Sequence, residues 1–307
     1  MPIPLYASPA EASTDIEGVT RLRPVSVVTP TRSRPDMLKE AYGSLRAQTL
    51  QDFEYIISVN GMNAKSLAEA RRIESSDKRV RVLYNPNSNL SEAWNAGFEA
   101  SDGETVHFLA DDDLLEPMFL EVGYRALADR PDLDLVGTDY SAFADPTEAI
   151  RMPCLLTNPG VDAADSGRPA LGAFGLNTSI FRRSLLLKMV SGRGPFDESF
   201  RIHGDEDFFV RLSKSEARAH HICSALVRYR VHPGQATQRD QARHFFEHIR
   251  VANSVRRASV GEVAAQTLWA VNRRIGFLGT RLKRKLGMGT MYRLSAIELL
   301  MYPELRV

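Results

Sequence analysis

The sequence predicts an α/β fold, a mostly parallel sheet flanked by helices with a helical C-terminal extension. Three observations carry this. Short apolar runs at 25–29, 53–59, 80–84 and 106–109 read as strands, and helical patterns starting at Pro35, at 64 and at 90 separate them. Strands that alternate with helices at this spacing form right-handed βαβ units, and hence a parallel sheet. From Asp240 onward helical patterns replace the alternation and the charge turns basic, with twelve Lys or Arg against five Asp or Glu. The chain divides accordingly into an arm at 1–23, the main α/β unit at 24–238 and a basic helical extension at 239–307.

Residues 1–23 are rich in Pro, Ala and Ser without periodicity, the pattern of a loose arm. The run VSVVT at 25–29 is a strand that Pro30 is expected to stop. Pro35 suits the start of the next helix, whose Met37, Leu38, Ala41 and Leu45 share one face. FEYIISV at 53–59 ends in the turn signal Asn60-Gly61, and Asn63 caps a helix over 64–75. A strand at 80–84, a helix at 90–100 and the strand before Ala110 follow. Next come a helix near 117–129 and a strand at 135–138. Residues 144–172, rich in Pro, Gly and Asp, read as a long irregular crossover. A strand at 177–181, a helix at 184–189, the segment GPFDESFRIHGDEDFFVRL at 194–212 and a strand running into LVRYRVHPG at 226–234 complete the unit.

A hydrophobic share of 43% and a charged share of 25% are ordinary for a globular protein. A net charge of +1 gives no general attraction for nucleic acid. Cys154 and Cys223 stand far apart without metal-ligand spacing, which fits a reducing compartment and no disulfide scaffold. The first twenty residues carry Glu11, Asp15 and Glu17 but no Lys or Arg, the opposite of a secretory leader. No apolar run reaches bilayer length. The expectation is a cytoplasmic protein. The basic run RLKRKLG at 281–287 leaves two readings open, a solvated face or a peripheral contact with anionic lipid at the inner face of the membrane.

The stretch HFLADDDLLEP at 107–117 puts Asp111, Asp112 and Asp113 directly after an apolar strand. In an open α/β sheet, ligands bind outside the carboxyl ends of the strands. Adjacent carboxylates repel one another. A divalent cation relieves that repulsion, and oxygen ligands suit Mg²⁺ or Mn²⁺. The plainer reading is a solvated acidic turn that caps the next helix. A Ca²⁺ loop is excluded, because the acidic residues do not alternate and the turn Gly is missing.

Six stretches occur in a fixed order: VSVVTPTRSRP at 25–35, AQTLQDFEYIISVNG at 47–61, NLSEAWNAGFEAS at 89–101, HFLADDDLLEP, FDESFRIHGDEDFFVRL at 196–212 and RYRVHPG at 228–234. Over roughly residues 24–236 the chain thereby resembles glycosyltransferase family 2. The resemblance implies the GT-A fold, a Rossmann-like, mostly parallel sheet. It also implies an inverting, metal-dependent hexosyltransferase of polysaccharide or glycoconjugate synthesis. The donor would be a UDP, GDP or dTDP sugar, and the acceptor a hydroxyl of a glycan or lipid-linked molecule. Asp112, Asp113 and His232 fall at the implied Mn²⁺ or Mg²⁺ site, and Thr31, Arg34, Asn60, Asp111 and Asp112 at donor-binding positions. The family's general base is an Asp six residues before an Arg. Counting back from Arg211 gives Asp205, with Asp207 as the second choice. Acidic residues also suit the first turn of a helix for their own sake.

Two positions depart from the family pattern. Asn60 stands where an Asp usually accepts from the nucleotide base, and an Asn both accepts and donates. Ala110 replaces the first Asp of the family's DxD signature. These departures keep a second reading open, a catalytically silent module that binds sugar nucleotides or glycans. A nucleotidyltransferase fits less well, since TPTRSRP is not a Gly-rich phosphate loop with a Lys. Trp94 reads as core packing rather than ligand stacking.

Overall fold

The structure is a computed structural model that describes residues 23–86, 88–144, 149–152, 175–232, 234–235, 243 and 246–251. The strands are β1 (Val25–Thr31), β2 (Phe53–Asn60), β3 (Val80–Asn85), β4 (Thr105–Phe108), β5 (Leu114–Leu115), β6 (Leu135–Phe143), β7 (Ala149–Met152), β8 (Ser179–Arg182) and β9 (Ala219–Arg230). The helices are α1 (Pro35–Arg46), α2 (Ala64–Ser76), α3 (Leu90–Glu99), α4 (Phe119–Asp129), α5 (Arg183–Lys188) and α6 (Gly204–Ser213). All nine strands join one sheet in the order β3-β2-β1-β4-β8-β6-β9-β5, with β7 beside β6. The half built from β3, β2, β1 and β4 is parallel, as the alternation predicts. Beyond β4 the sheet is mixed: β8 runs antiparallel to β4 and β6, and β9 runs parallel to β6.

The period-two pattern of the strands sorts their side chains into two layers. Val25, Val27, Tyr55, Ile57 and Val59 face a core completed by α1, α2 and α4. Val28, Ile56, Val106 and Phe108 face the opposite core, with Trp94 and Phe98 of α3 and Phe208 and Leu212 of α6. Burying each such side chain contributes roughly 1.5–3 kcal/mol. Trp94 is a core residue as expected, its ring 5.0 Å from that of Phe196. In α1 the buried face is Leu38, Ala41, Tyr42 and Leu45, so Tyr42 rather than Met37 completes it. Asn63 does cap α2, accepting from the Ser66 N–H at 2.9 Å.

Three expectations about elements need correction. Pro30 does not end β1, which continues to Thr31 with Pro30 opposite Ser58. The Val28 carbonyl accepts from the Leu109 N–H, so Pro30, two residues on, turns its missing donor toward the same side. Pairing with β4 has already stopped there at Val28, and no ladder bond is lost. The strand read at 135–138 runs on to Phe143, and the crossover read at 144–172 contains β7. The two-residue β5 carries no sequence signal of its own. The arm at 1–22, residues 153–174 and nearly all of the extension at 239–307, including 281–287, lie outside the described residues.

Candidate active site

The Ala110–Asp113 segment is a tight turn, closed by the Asp113 N–H donating to the Ala110 carbonyl at 3.3 Å. It follows β4 directly, at the carboxyl ends of the parallel strands. All three carboxylates are buried, which rules out the solvated acidic turn. Each is aimed differently. Asp111 turns toward the loop after β1, accepting from Thr31 Oγ1 at 2.7 Å and from Arg34 Nη1 at 3.0 Å. Asp112 receives the same Arg34 Nη1 and lies 3.0 Å from His232 Nε2. Asp113 turns inward, accepting from Asn177 Nδ2 at 2.7 Å and from the Arg230 N–H at 2.8 Å.

The short strand β5 explains how the last two partners arrive. Leu114 pairs with Arg228 and Leu115 with Val227, which lays the end of β9 along the acidic turn. Arg230 is itself buried, with Nε on the Asp112 carbonyl at 2.8 Å and Nη2 on Glu40 at 2.5 Å. The end of β9, through Arg228 and Arg230, is therefore a clasp on the turn.

These aims split the carboxylates electrostatically. Burial and the neighbouring Asp112 charge push the Asp113 carboxyl well above the usual carboxylate range. Burial and Asp112 raise Asp111 too, against the pull of Arg34. For Asp112, burial is outweighed by the His232 hydrogen bond and the charges of Arg34 and His232, so it is held below the usual range. Of the expected cation ligands, the structure brings Asp112 and His232 together and directs Asp113 away from both. His107, at the head of the motif, is no ligand: burial pushes it down to about 4, and Nδ1 is engaged by the Ser179 carbonyl at 2.9 Å.

A cleft of about 590 Å³ opens beside the turn. Its walls come from the loop after β1 (Pro30, Arg32, Arg34), the end of β2 (Asn60, Met62), the start of α3 (Ser88, Asn89), Asp111 and Arg201. Arg34, Asn60 and Asp111 thus gather at one place, with Thr31 behind Asp111. Asn60 is buried at the cleft, and the Asn60-Gly61 turn holds Gly61 at φ +93° under the Arg32 side chain.

The loop that leads into α6 borders the same cleft. Arg201 and Ile202 line it, and Gly204 packs on α3 so closely that a Cβ there would lie 2.2 Å from Ser91 Oγ. Asp205 follows in the first turn of α6. Burial and the adjacent Glu206 charge raise its carboxyl to about 6. Asp207, one step further round the helix, is tied to Arg211 Nε at 2.8 Å. Arg211 also donates to the Met189 and Pro195 carbonyls at 2.9 and 2.6 Å. That makes Asp207 the anchor of a structural Arg. Replacing Asp207 with Ala strands this partly buried guanidinium, and a stability loss of about 1–3 kcal/mol is expected in urea unfolding, with nucleotide affinity unchanged.

One contributor was invisible in the sequence. Glu247, in the helical stretch 246–251, accepts from the backbone N–H groups of Arg201, Ile202 and His203 at 2.8–3.1 Å. It fixes the loop that leads into Asp205 from more than forty residues away, a distance at which no local pattern signals the contact. Arg243 also reaches the cleft from this region.

Solved structures share this architecture. A Pyrobaculum calidifontis mannosyltransferase in complex with GDP-Man and Mn²⁺ matches with a TM-score of 0.59 at 16% identity, covering 78% of this chain and 66% of that one. Staphylococcus aureus TarS 1–349 in complex with UDP matches with a TM-score of 0.54 at 18% identity, covering 74% and 63%. The fold is the GT-A fold of glycosyltransferases. A family model described as glycosyl transferase family 2 matches residues 26–188, and the chain belongs to that family. Curated relatives include protein y4gI of Sinorhizobium fredii, 26% identical over 79% of this chain and 26% of its own length. The glycosyltransferase EpsJ of Bacillus subtilis is 25% identical over 70% and 63%, and the O-antigen biosynthesis glycosyltransferase WbnJ of Escherichia coli 24% over 72% and 84%. The chain thus spans between about a quarter and just under two-thirds of the first relatives it matches. Among the described residues no helix is long and apolar enough to cross a membrane.

Proposed function

We propose that this chain is an inverting glycosyltransferase that moves a sugar from a nucleoside diphosphate to an acceptor hydroxyl. The observation that carries the reading is the buried acidic turn at the carboxyl ends of the parallel strands, whose Asp111 lines the cleft together with Arg201 and Ile202 just before Asp205, with Asp112 held ionised and Asp205 raised. In the proposed reaction the acceptor oxygen attacks the anomeric carbon, the bond from that carbon to the phosphate oxygen breaks, and the nucleoside diphosphate leaves with the electron pair. Asp205 takes the acceptor proton as general base, which requires it ionised at the moment of attack. Thr31 and Arg34 hold Asp111 at the cleft wall, and Asn60 faces the nucleoside, with either its carbonyl or its amide available to the base.

The residues present suit a divalent cation. Asp112 and His232 offer an ionised oxygen and an imidazole nitrogen at one point, and Mg²⁺ or Mn²⁺ at such sites takes its other ligands from phosphate and water. Asp112 and His232 would hold the ion, and Asp113 would brace the turn from behind. When bound, the cation supplies charge neutralisation for the leaving diphosphate. The acceptor class proposed is a glycan or a lipid-linked glycan, in polysaccharide or glycoconjugate synthesis.

Thermal-shift titration with UDP, GDP, dTDP and CMP, with and without Mn²⁺, tests the donor class by mass action. One nucleoside diphosphate is expected to raise Tm in a Mn²⁺-dependent manner, and its sugar form to be slowly hydrolysed. Binding without hydrolysis or transfer under any acceptor condition would favour the silent binding module. Absence of any nucleotide response would sink both readings.

A further inference from the structure

His203, Glu206 and His248 converge outside the acidic turn. One ligand atom from each lies within 4.8 Å of the other two. Both imidazole Nδ1 atoms sit 3.0 Å from the same carboxylate oxygen, Glu206 Oε2. His203 and Glu206 are one helical turn apart at the start of α6, whereas His248 comes from the stretch 246–251. The two pieces are already held in register by the Glu247 carboxylate on the backbone of 201–203, and by Arg250 stacked 3.9 Å from the Phe200 ring. The three groups are therefore oriented before any ligand arrives.

We propose that His203, Glu206 and His248 form a zinc site that staples the segment after β9 to the helix carrying Asp205. Two imidazoles and a carboxylate suit Zn²⁺, and the two nitrogens weigh against Mg²⁺, which takes oxygen ligands. Tetrahedral bonds of about 2.0–2.1 Å place neighbouring ligand atoms roughly 3.3 Å apart. The nitrogen-to-oxygen separations of 3.0 Å need to open by only a few tenths of an ångström. His203 is buried, while Glu206 and His248 are open to solvent, which gives an ion an entry path and leaves a fourth position for water. The proposal is independent of sugar transfer, since it concerns other side chains and another class of metal.

The test uses the full chain, stripped by chelator and desalted, titrated with Zn²⁺ against a chromogenic competitor. Wild type and Asp112→Asn are expected to bind one tight Zn²⁺ each. His248→Ala, which removes an exposed side chain, and Glu206→Gln, which keeps an acceptor oxygen between the two histidines, are expected to lose at least about tenfold in affinity, the floor set by losing even an outer-shell partner. Zinc should also raise Tm in wild type and not in His248→Ala. Equal zinc affinity in wild type and both ligand variants would overturn the site. So would an affinity lost in Asp112→Asn alone, which would put the ion at the acidic turn. A wild type that binds no zinc would reduce the cluster to a hydrogen-bonded triad.

Discussion

Replacing Asp205 with Asn is expected to lower turnover by roughly 10²–10⁴-fold, the usual share of a general base, while donor affinity stays nearly unchanged. The carboxylate acts on the acceptor proton and not on the nucleotide, so the loss should appear in kcat and not in a nucleotide titration. Asn keeps the size of Asp and an oxygen for the Glu206 N–H, which Asp205 accepts at 2.9 Å. The helix start therefore survives, with a stability loss of no more than about 1 kcal/mol. The variant that still folds, binds nucleotide and fails to transfer is the expected one. An active Asp205→Asn with a dead Asp207→Asn would shift the base by two residues. Activity in both would remove the single-displacement mechanism.

The same residue gives the pH profile. Burial and Glu206 raise Asp205 to about 6, so below that pH the base is protonated and kcat/KM should fall about tenfold per pH unit. Its stability contribution runs the opposite way. The unfolded carboxyl has its ordinary value of 3.8, so between about pH 4 and 6 the folded state binds more protons at this site. Stability from this group is then highest at low pH and declines as pH rises through that window. Asp205→Asn should flatten this slope in urea unfolding while leaving the other carboxylates in place.

Asp205 and Asp207 show where local reading stops. Both occupy the first turn of α6, where any carboxylate is favourable, and counting from Arg211 is all the sequence offers. The fold separates them, because Asp207 lies at the i,i+4 position from Arg211 and is engaged by it. The acidic turn was legible for a different reason: an apolar strand that ends in three carboxylates is a local pattern. Which carboxylate faces which partner was not, since Asn177, Arg230 and His232 approach from 64 to 120 residues away. Asp113 was placed beside Asp112 at the cation site through the family resemblance, and a sequence motif does not set the direction of each carboxylate inside a tight turn. Likewise β5 is two residues long. It has no periodicity to detect, yet it docks the end of β9 on the site.

Asp112→Asn is expected to lower turnover by on the order of 10²–10³-fold, the typical effect of losing one charge-stabilising group at a developing anion, and to abolish the Mn²⁺-dependent part of nucleotide affinity. Asp112 is the carboxylate that its surroundings keep ionised, through His232 and Arg34. Asn retains an oxygen for Arg34 but brings no charge, so neither a cation nor the His232 imidazole keeps its anionic partner. The fold should survive with a modest loss of stability, because a carboxyl held below its usual range stabilises the folded state when ionised, and part of that loss is offset nearby. Asp112 is one of the groups that raise Asp111 and Asp113, and removing its charge lets both carboxyls ionise more readily. Nucleotide titration with and without Mn²⁺, beside a thermal melt of the same preparation, separates the two effects. A variant that still melts cooperatively, and whose nucleotide affinity no longer responds to Mn²⁺, is the expected result. Full activity in metal-replete buffer would remove Asp112 from the site and leave the acidic turn a purely structural clasp for β9.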